Sequence, residues 1–175
     1  MISKKGPFLL DANIFIQANR QYYSFDICPG FWESLVFHNS GKRLFSIDRV
    51  KEELDEGDDD DKLKVWATKV MPPNCFISTD DKAIIKRYRE IVRWVNQQTQ
   101  YREGVVADFM SVADGWLVAC AKAKEMVLVT HEVYRPEQRN KVPIPNICKA
   151  FDVEYVNSFE MLRTLRVRFH WKAAT

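Results

Sequence analysis

Short unbroken apolar runs alternate along this chain with longer stretches in which apolar residues recur every three or four positions. Phe8-Leu9-Leu10, Leu44-Phe45-Ser46-Ile47 and Val153-Glu154-Tyr155-Val156 read as short strands, and Cys75-Phe76-Ile77-Ser78-Thr79 as a brief extended segment. Met126-Val127-Leu128-Val129-Thr130 is a continuous run, typical of a strand buried on both faces. Between them the helical period predicts helices near 13–20, from Pro29 to Gly41, after Asp48 as N-cap to Gly57, and over Lys62 to Val70 before Pro72-Pro73. A long helix capped by Thr79 or Asp80 is expected through about residue 99. Residues 105–124, Asn146 to Phe151 and a closing segment capped by Asn157 or Ser158 complete the set. Strands alternating with helices make this an α/β chain with a mostly parallel sheet covered on both faces.

The long helix has two faces. Ile84, Ile85, Tyr88, Ile91, Val92 and Val95 fall on one side, and Lys82, Lys86, Arg89 and Arg93 form a straight basic ridge on another. The ridge, with nearby Arg87 and Arg102, has the form of a phosphate-binding surface, and Tyr88, Trp94 and Tyr101 are candidates for stacking on bases. Its plain alternative is a solvated helix face with core aromatics. Arg163, Arg166, Arg168 and Lys172 present the same choice.

At 175 residues the chain fits one domain, 1–175, with a helical elaboration at about 58–104. Its 26 basic and 24 acidic side chains leave a net charge of only +2, which neither demands nor excludes a nucleic-acid partner. No apolar stretch reaches the roughly 18 residues of a membrane helix, and the start MISKKGPF lacks a signal-peptide core, so a cytoplasmic protein with no membrane partner is expected. The cysteines, Cys28, Cys75, Cys120 and Cys148, stand singly and read as small buried apolar residues rather than zinc ligands. The acidic run Asp55 to Asp61 lacks the spaced ligands of an EF-hand and reads as a solvated loop.

The acids carry the chemical question. Asp11 ends the first strand, and a buried carboxylate costs several kcal/mol unless it is neutralised, paired or bound to a cation. Glu132 lies just past the fourth strand, and functional crevices in parallel α/β sheets lie beyond the carboxyl ends of strands. Glu53 and Asp114 sit in helices that can pack over the same edge. Were all four to converge, their repulsion would call for a counterion, and a hard divalent metal fits.

At these residues the chain resembles a family. Leu9-Leu10-Asp11-Ala12-Asn13 looks like the first-strand signature of PIN-domain nucleases, and Glu53-Leu54-x-x-Gly57 like their E-L-x-x-G helix. Asp114-Gly115-Trp116-Leu117-Val118-Ala119 is similar to their D-x-x-L/I-V/I-A element, and Thr130-His131-Glu132 to their T-x-D site, with glutamate in place of aspartate. The wider pattern is most similar to a PIN-like family of the DUF4411 type, related to VapC toxins and found beside antitoxin genes. Besides Glu132, the helix over 80–104 departs by being longer than in minimal VapC toxins.

The resemblance implies a three-layer α/β/α sandwich around four to five strands and Mg²⁺- or Mn²⁺-dependent endonucleolytic cleavage of RNA. It makes Asp11 and Asp114 the most direct metal ligands, with Glu53 completing the site and Glu132 binding a second ion or holding its water. Asn13 and Thr130 would orient ligands from behind. Asp108 is a lesser candidate, because six residues before Asp114 it points about 120° away unless the helix breaks near Ser111. The toxin relationship implies an antitoxin partner and a possible homodimer. Taken singly, Asp11 and Asp114 also read as helix caps, Glu53 as a solvated face, Glu132 as an exposed loop residue and His131 as a packing residue. A PIN-fold nuclease acting on DNA and a degenerate, non-catalytic RNA-binding or interaction module remain the alternatives.

Overall fold

The structure, a computed structural model, describes residues 6–58 and 61–171; Lys172 of the basic tail and Asp59 and Asp60 of the acidic run lie outside them. Five strands, β1 (Phe8–Leu10), β2 (Leu44–Ile47), β3 (Phe76–Ile77), β4 (Val127–Val129) and β5 (Tyr155–Val156), form one all-parallel sheet in the order β3-β2-β1-β4-β5. Leu9 is paired with both Phe45 and Leu128, Ser46 with Phe76, and Val129 with Val156. Every residue of β1 and β4 is buried although successive side chains point to opposite faces, so helices cover the sheet on both sides.

The order of the strands locates the working edge. From β1 the chain moves outward through β2 to β3, then returns to place β4 on the other flank of β1 and β5 beyond it. The connections beyond the carboxyl ends of β1 and β4 therefore part in opposite directions and leave a crevice, the usual position of a ligand site in such sheets. Asp11 and Glu132 lie on the two sides of that switch point.

The helices follow the sequence reading with local corrections. After β1 come α1 (Ala12–Gln17), which widens into a π-turn over 18–22, and α2 (Pro29–Ser40), opened by its proline and closed at Gly41. In α3 (Asp48–Asp55), Asp48 is the first helical residue rather than the cap; its carboxylate accepts from Arg49 N at 2.8 Å and from Thr79 N at 2.8 Å, tying α3 to the segment after β3. Asp61, the last residue of the acidic run, caps α4 (Lys62–Val65) by accepting from Leu63 N at 2.7 Å. The cap of α5 (Lys82–Gln97) is neither Thr79 nor Asp80 but Asp81, which accepts from both Ala83 N and Ile84 N.

The expected helix over 105–124 is two helices, α6 (Val105–Ser111) and α7 (Asp114–Lys124), separated by Val112 in extended conformation. α5 runs antiparallel to α7: Asp81 at its start bonds to Lys124 at the end of α7, and Tyr88 stacks on Trp116 near the start of α7, centroids 3.7 Å apart. After β4 follow α8 (Ile144–Ala150) and α9 (Ser158–Thr164), the latter opened by a reciprocal capping box between Asn157 and Glu160. Cys75, Cys120 and Cys148 are buried thiols, and Cys28 is half-buried. No helix among the described residues is long and apolar enough to cross a membrane.

Candidate active site

Asp11 is placed by the end of β1. Its backbone N–H donates to Val129 O at 3.1 Å, closing the ladder, and its extended conformation turns the chain into α1. The carboxylate caps that helix, accepting from Asn13 N at 3.4 Å, and its other oxygen accepts from the Thr130 hydroxyl at 3.1 Å. Cap and candidate acid are thus one group. Only 1% of the residue is exposed. Burial, and then the negative charges of Asp114 and Glu132, push its pKa up to about 7 against those two hydrogen bonds.

The break before α7 sets Asp114. The N–H of Ala113 donates to Glu53 Oε1 at 3.2 Å, so the carboxylate of α3 fastens the start of α7. Burial raises Asp114 to about 6; Lys141 opposes this, while Glu132 and Glu53 add to it. Glu53 is also raised, first by burial and then by Glu56, against the Ala113 hydrogen bond. Gly115 lets this corner close: a Cβ there would stand 2.6 Å from Phe109 Cζ and 3.0 Å from Tyr88 Cε2. Gly115→Ala is therefore expected to destabilise the protein by about 1–3 kcal/mol through overpacking, read as a lower denaturation midpoint. An unchanged midpoint would mean that the corner has room.

Glu132 is no free loop residue. Its N–H donates to the Thr130 hydroxyl at 3.2 Å, the same hydroxyl that serves Asp11, and its Oε2 accepts from Ile144 N at 2.8 Å. Its Oε1 pairs with Lys141 Nζ, which also lies 3.6 Å from Asp114 Oδ2. Half-burial works against the lysine's charge, but Glu132, Asp114 and Asp11 together hold its pKa above the ordinary value. The loop that carries Lys141 is clamped from outside: Asn146 bonds the backbone of Arg135 in both directions, and Gln100 Nε2 donates to Pro136 O and Gln138 O. Val142 and Ile144, both buried, anchor its end.

The structure thus gathers Asp11, Glu53, Asp114 and Glu132 into one electrostatic cluster around an ammonium that the sequence reading did not single out. An open cavity of about 550 Å³ adjoins it, lined among others by Asn13, Glu53, Glu56, Asp108, Asp114 and Lys141. Asp108 reaches this cavity because the chain breaks at Val112. Glu56, which the sequence reading also passed over, stands three residues after Glu53 as the C-cap of α3, a spacing visible in the sequence.

The basic ridge exists: Lys82, Lys86, Arg89 and Arg93 are exposed and line one groove with Ile85 and Glu90. Its aromatics are not free for bases. Tyr88 is stacked on Trp116, which also carries the Arg49 guanidinium 4.2 Å from its centroid, and Trp94 packs edge-on against Phe151. Tyr101 packs against the core. His131 is a packing residue, its Nε2 3.2 Å from Ser158 Oγ. Arg163, Arg166 and Arg168 are exposed.

The chemistry of the donors fits a hard divalent cation, since all four are carboxylates. Their arrangement is that of a cluster satisfied by an ammonium: no three acidic, histidine or cysteine side chains among the described residues surround one point closely enough to hold a metal. Lys141 stands between Glu132 and Asp114 instead.

Comparison with known proteins agrees with the fold. The crystal structure of FitAcB from Neisseria gonorrhoeae contains a chain that matches with a TM-score of 0.53 at 17% identity, covering 87% of this chain and 98% of that one. The fold is thus PIN-like, an α/β arrangement with a five-stranded parallel sheet flanked by helices. No curated protein sequence matches significantly. Residues 8–169 match the family described as "Domain of unknown function (DUF4411)", and the chain belongs to that family.

Proposed function

We propose that this protein is a metal-dependent endoribonuclease, the toxin of a type II toxin-antitoxin pair, built as one PIN-like domain with a helical elaboration at about 58–104. The observation that carries the reading is the convergence of Asp11, Glu53, Asp114 and Glu132, from four separate segments, at the switch point of a PIN-like sheet. Asp11, Asp114 and Glu53 would hold a first Mg²⁺ or Mn²⁺, with Glu132 serving a second. Such an ion supplies Lewis acidity toward the phosphodiester and an attacking water.

The chain's own groups do the positioning. Thr130 holds Asp11 and the backbone of Glu132 with one hydroxyl, which fixes the distance between the two strand ends. Ala113 fixes Glu53 against the start of α7. Leu10, Ile14 and Val129, which neighbour Asp11 on β1, α1 and β4, are buried apolar residues, and a low-dielectric flank of this kind strengthens charge interactions. Lys82, Lys86, Arg89 and Arg93 offer a track for the RNA backbone outside the crevice. An antitoxin would cover the crevice, and the relationship also allows a homodimer.

The test is an assay of transfer, ribosomal and messenger RNA beside DNA oligomers, with Mg²⁺ or Mn²⁺ and an Asp114→Asn control. RNA cleavage, lost in the control together with growth inhibition, is the expected result. Cleavage retained in Asp114→Asn, or of DNA alone, contradicts the proposal. One observation favours a second reading, a non-catalytic PIN-like binding module: the ammonium of Lys141 already pairs with two of the four acids, Glu132 and Asp114. That reading requires no divalent-ion binding.

A further inference from the structure

Three rings from three different connections meet beside the acids. Tyr22 ends the π-turn that follows α1, His131 follows β4, and Phe159 lies in the first turn of α9 after β5. Tyr22 and Phe159 stand edge to face, with centroids 5.8 Å apart at 80°, and His131 lies 5.9 Å from each. The bond between His131 Nε2 and Ser158 Oγ, 3.2 Å, joins the two loops beneath. β1, β4 and β5 are parallel neighbours, so the cluster belongs to the same carboxyl edge as Asp11 and Glu132. His131 immediately precedes Glu132, placing their Cα atoms about 3.8 Å apart.

This cluster differs from the aromatics of the core. Tyr22 is 47% exposed and Phe159 37%, whereas the rings on the basic ridge are engaged with other side chains. The patch is small and set among polar residues: Gln21 and Glu160, its chain neighbours, are exposed. Arg163 follows Phe159 by one turn on the same face of α9 and is exposed. A protein partner held by apolar contact wants a broad continuous face. Exposed rings with a guanidinium beside them match instead the pairing of stacking platform and backbone cation that holds single-stranded nucleic acid.

We infer that Tyr22 and Phe159, supported by His131, form a subsite that stacks an unpaired RNA base next to the phosphodiester to be cut, with Arg163 on the adjoining phosphate. The inference rests on the nuclease reading for its choice of ligand, and it narrows the substrate to RNA with a flexible, unpaired nucleotide at the site. A base within a continuous duplex has its faces occupied and does not enter the subsite.

The experiment separates binding from cleavage. In an Asp11→Asn background, single-stranded RNA carrying 2-aminopurine and a fully paired duplex of the same sequence are titrated against the full chain. Tyr22→Ala and Phe159→Ala are each expected to weaken single-strand binding about five- to a hundredfold, to abolish the quenching of the fluorescent base, and to leave duplex binding unchanged. Tyr22→Trp restores the binding. Tyr22→Leu keeps the apolar bulk for packing but removes the stacking face, so its weakness reports the loss of stacking even if the alanine variant unfolds. Unchanged single-strand binding and quenching in the leucine variant, or equal losses for single strand and duplex, overturn the subsite. So does a loss confined to binding of a protein partner. Should the wild type cut nothing while these binding effects appear, the nuclease reading fails and the subsite stands.

Discussion

Asp11→Asn is expected to abolish RNA cleavage and, in the same molecule, to make the metal-free protein more stable at pH 8. The loss of activity should be roughly 10²–10³-fold or more, the scale on which one electrostatic group acts in an active site. The gain in stability follows from burial. The Asp11 carboxyl titrates near 3.8 in an exposed chain and at about 7 in the folded one. It is neutral in both states below the first value, so its burial costs nothing there. As pH rises the unfolded chain ionises first, and the stability contributed by the proton is lost until the folded pKa is passed.

Above pH 7 the wild type therefore carries a cost on the order of 2–4 kcal/mol at this site. Asparagine keeps the oxygen that accepts from Asn13 N, and its amide can donate to the Thr130 hydroxyl, which has a second acceptor position. Calorimetric melting in the presence of a chelator checks this. The wild type should lose stability between pH 5 and pH 8, and Asp11→Asn should lose less, with a melting temperature about 5–10 °C higher at pH 8. Equal melting at pH 8 would mean that Asp11 carries no uncompensated charge.

Lys141→Met carries the second large effect, and its sign opposes intuition about removing a pairing group. The ammonium holds Glu132 and stands 3.6 Å from Asp114, so a divalent ion that uses those carboxylates must first displace it. Methionine preserves much of the stem and removes the competitor. At half exposure the lysine's pairing is worth about 1 kcal/mol, so Mn²⁺ should bind roughly fivefold more tightly, measured by titration calorimetry. In the absence of metal the variant should be less stable by about 1 kcal/mol, a small cost because the lysine is half exposed and Glu132 keeps its bond to Ile144 N. Weaker or unchanged Mn²⁺ binding would place Lys141 outside the metal centre. No binding in either protein would favour the non-catalytic module.

The parts of this molecule that were legible in the sequence are those governed by local pattern. The apolar run at 126–130 reads as a strand covered on both faces and that at 8–10 as a strand, and Pro29 and Gly41 bound α2 as their backbone preferences require. Helix caps slipped by a residue or more where aspartates are consecutive, because Asp80 and Asp81 offer the same chemistry and only the chain's exit from β3 chooses between them. The division between α6 and α7 left little periodic trace. Val112 and Ala113 fit a helix, and it is the pull of Glu53 on Ala113 N, from 60 residues away, that accompanies the interruption.

Lys141 was hidden for a similar reason. It sits in a polar loop whose path is set by Asn146, Gln100 and buried Val142, none of which announces a destination in one dimension. For the aromatics of the long helix the plain alternative, core packing, is the one that holds. Tyr88 and Trp94 lie on a helix with a basic ridge, yet helical geometry turns them inward against Trp116 and Phe151. Tyr22 and Phe159 come from connections whose meeting depends on the β1-β4-β5 adjacency.

Carboxylates from four segments are proposed to hold a divalent cation where Lys141 now stands. Crystals of the protein grown with Mn²⁺ test it most directly, the metal being located by its anomalous scattering. The expected result is manganese among Asp11, Glu53, Asp114 and Glu132, with the Lys141 ammonium drawn away from Glu132. Manganese absent from the crevice at saturating concentration, with Lys141 still paired to Glu132, would contradict it.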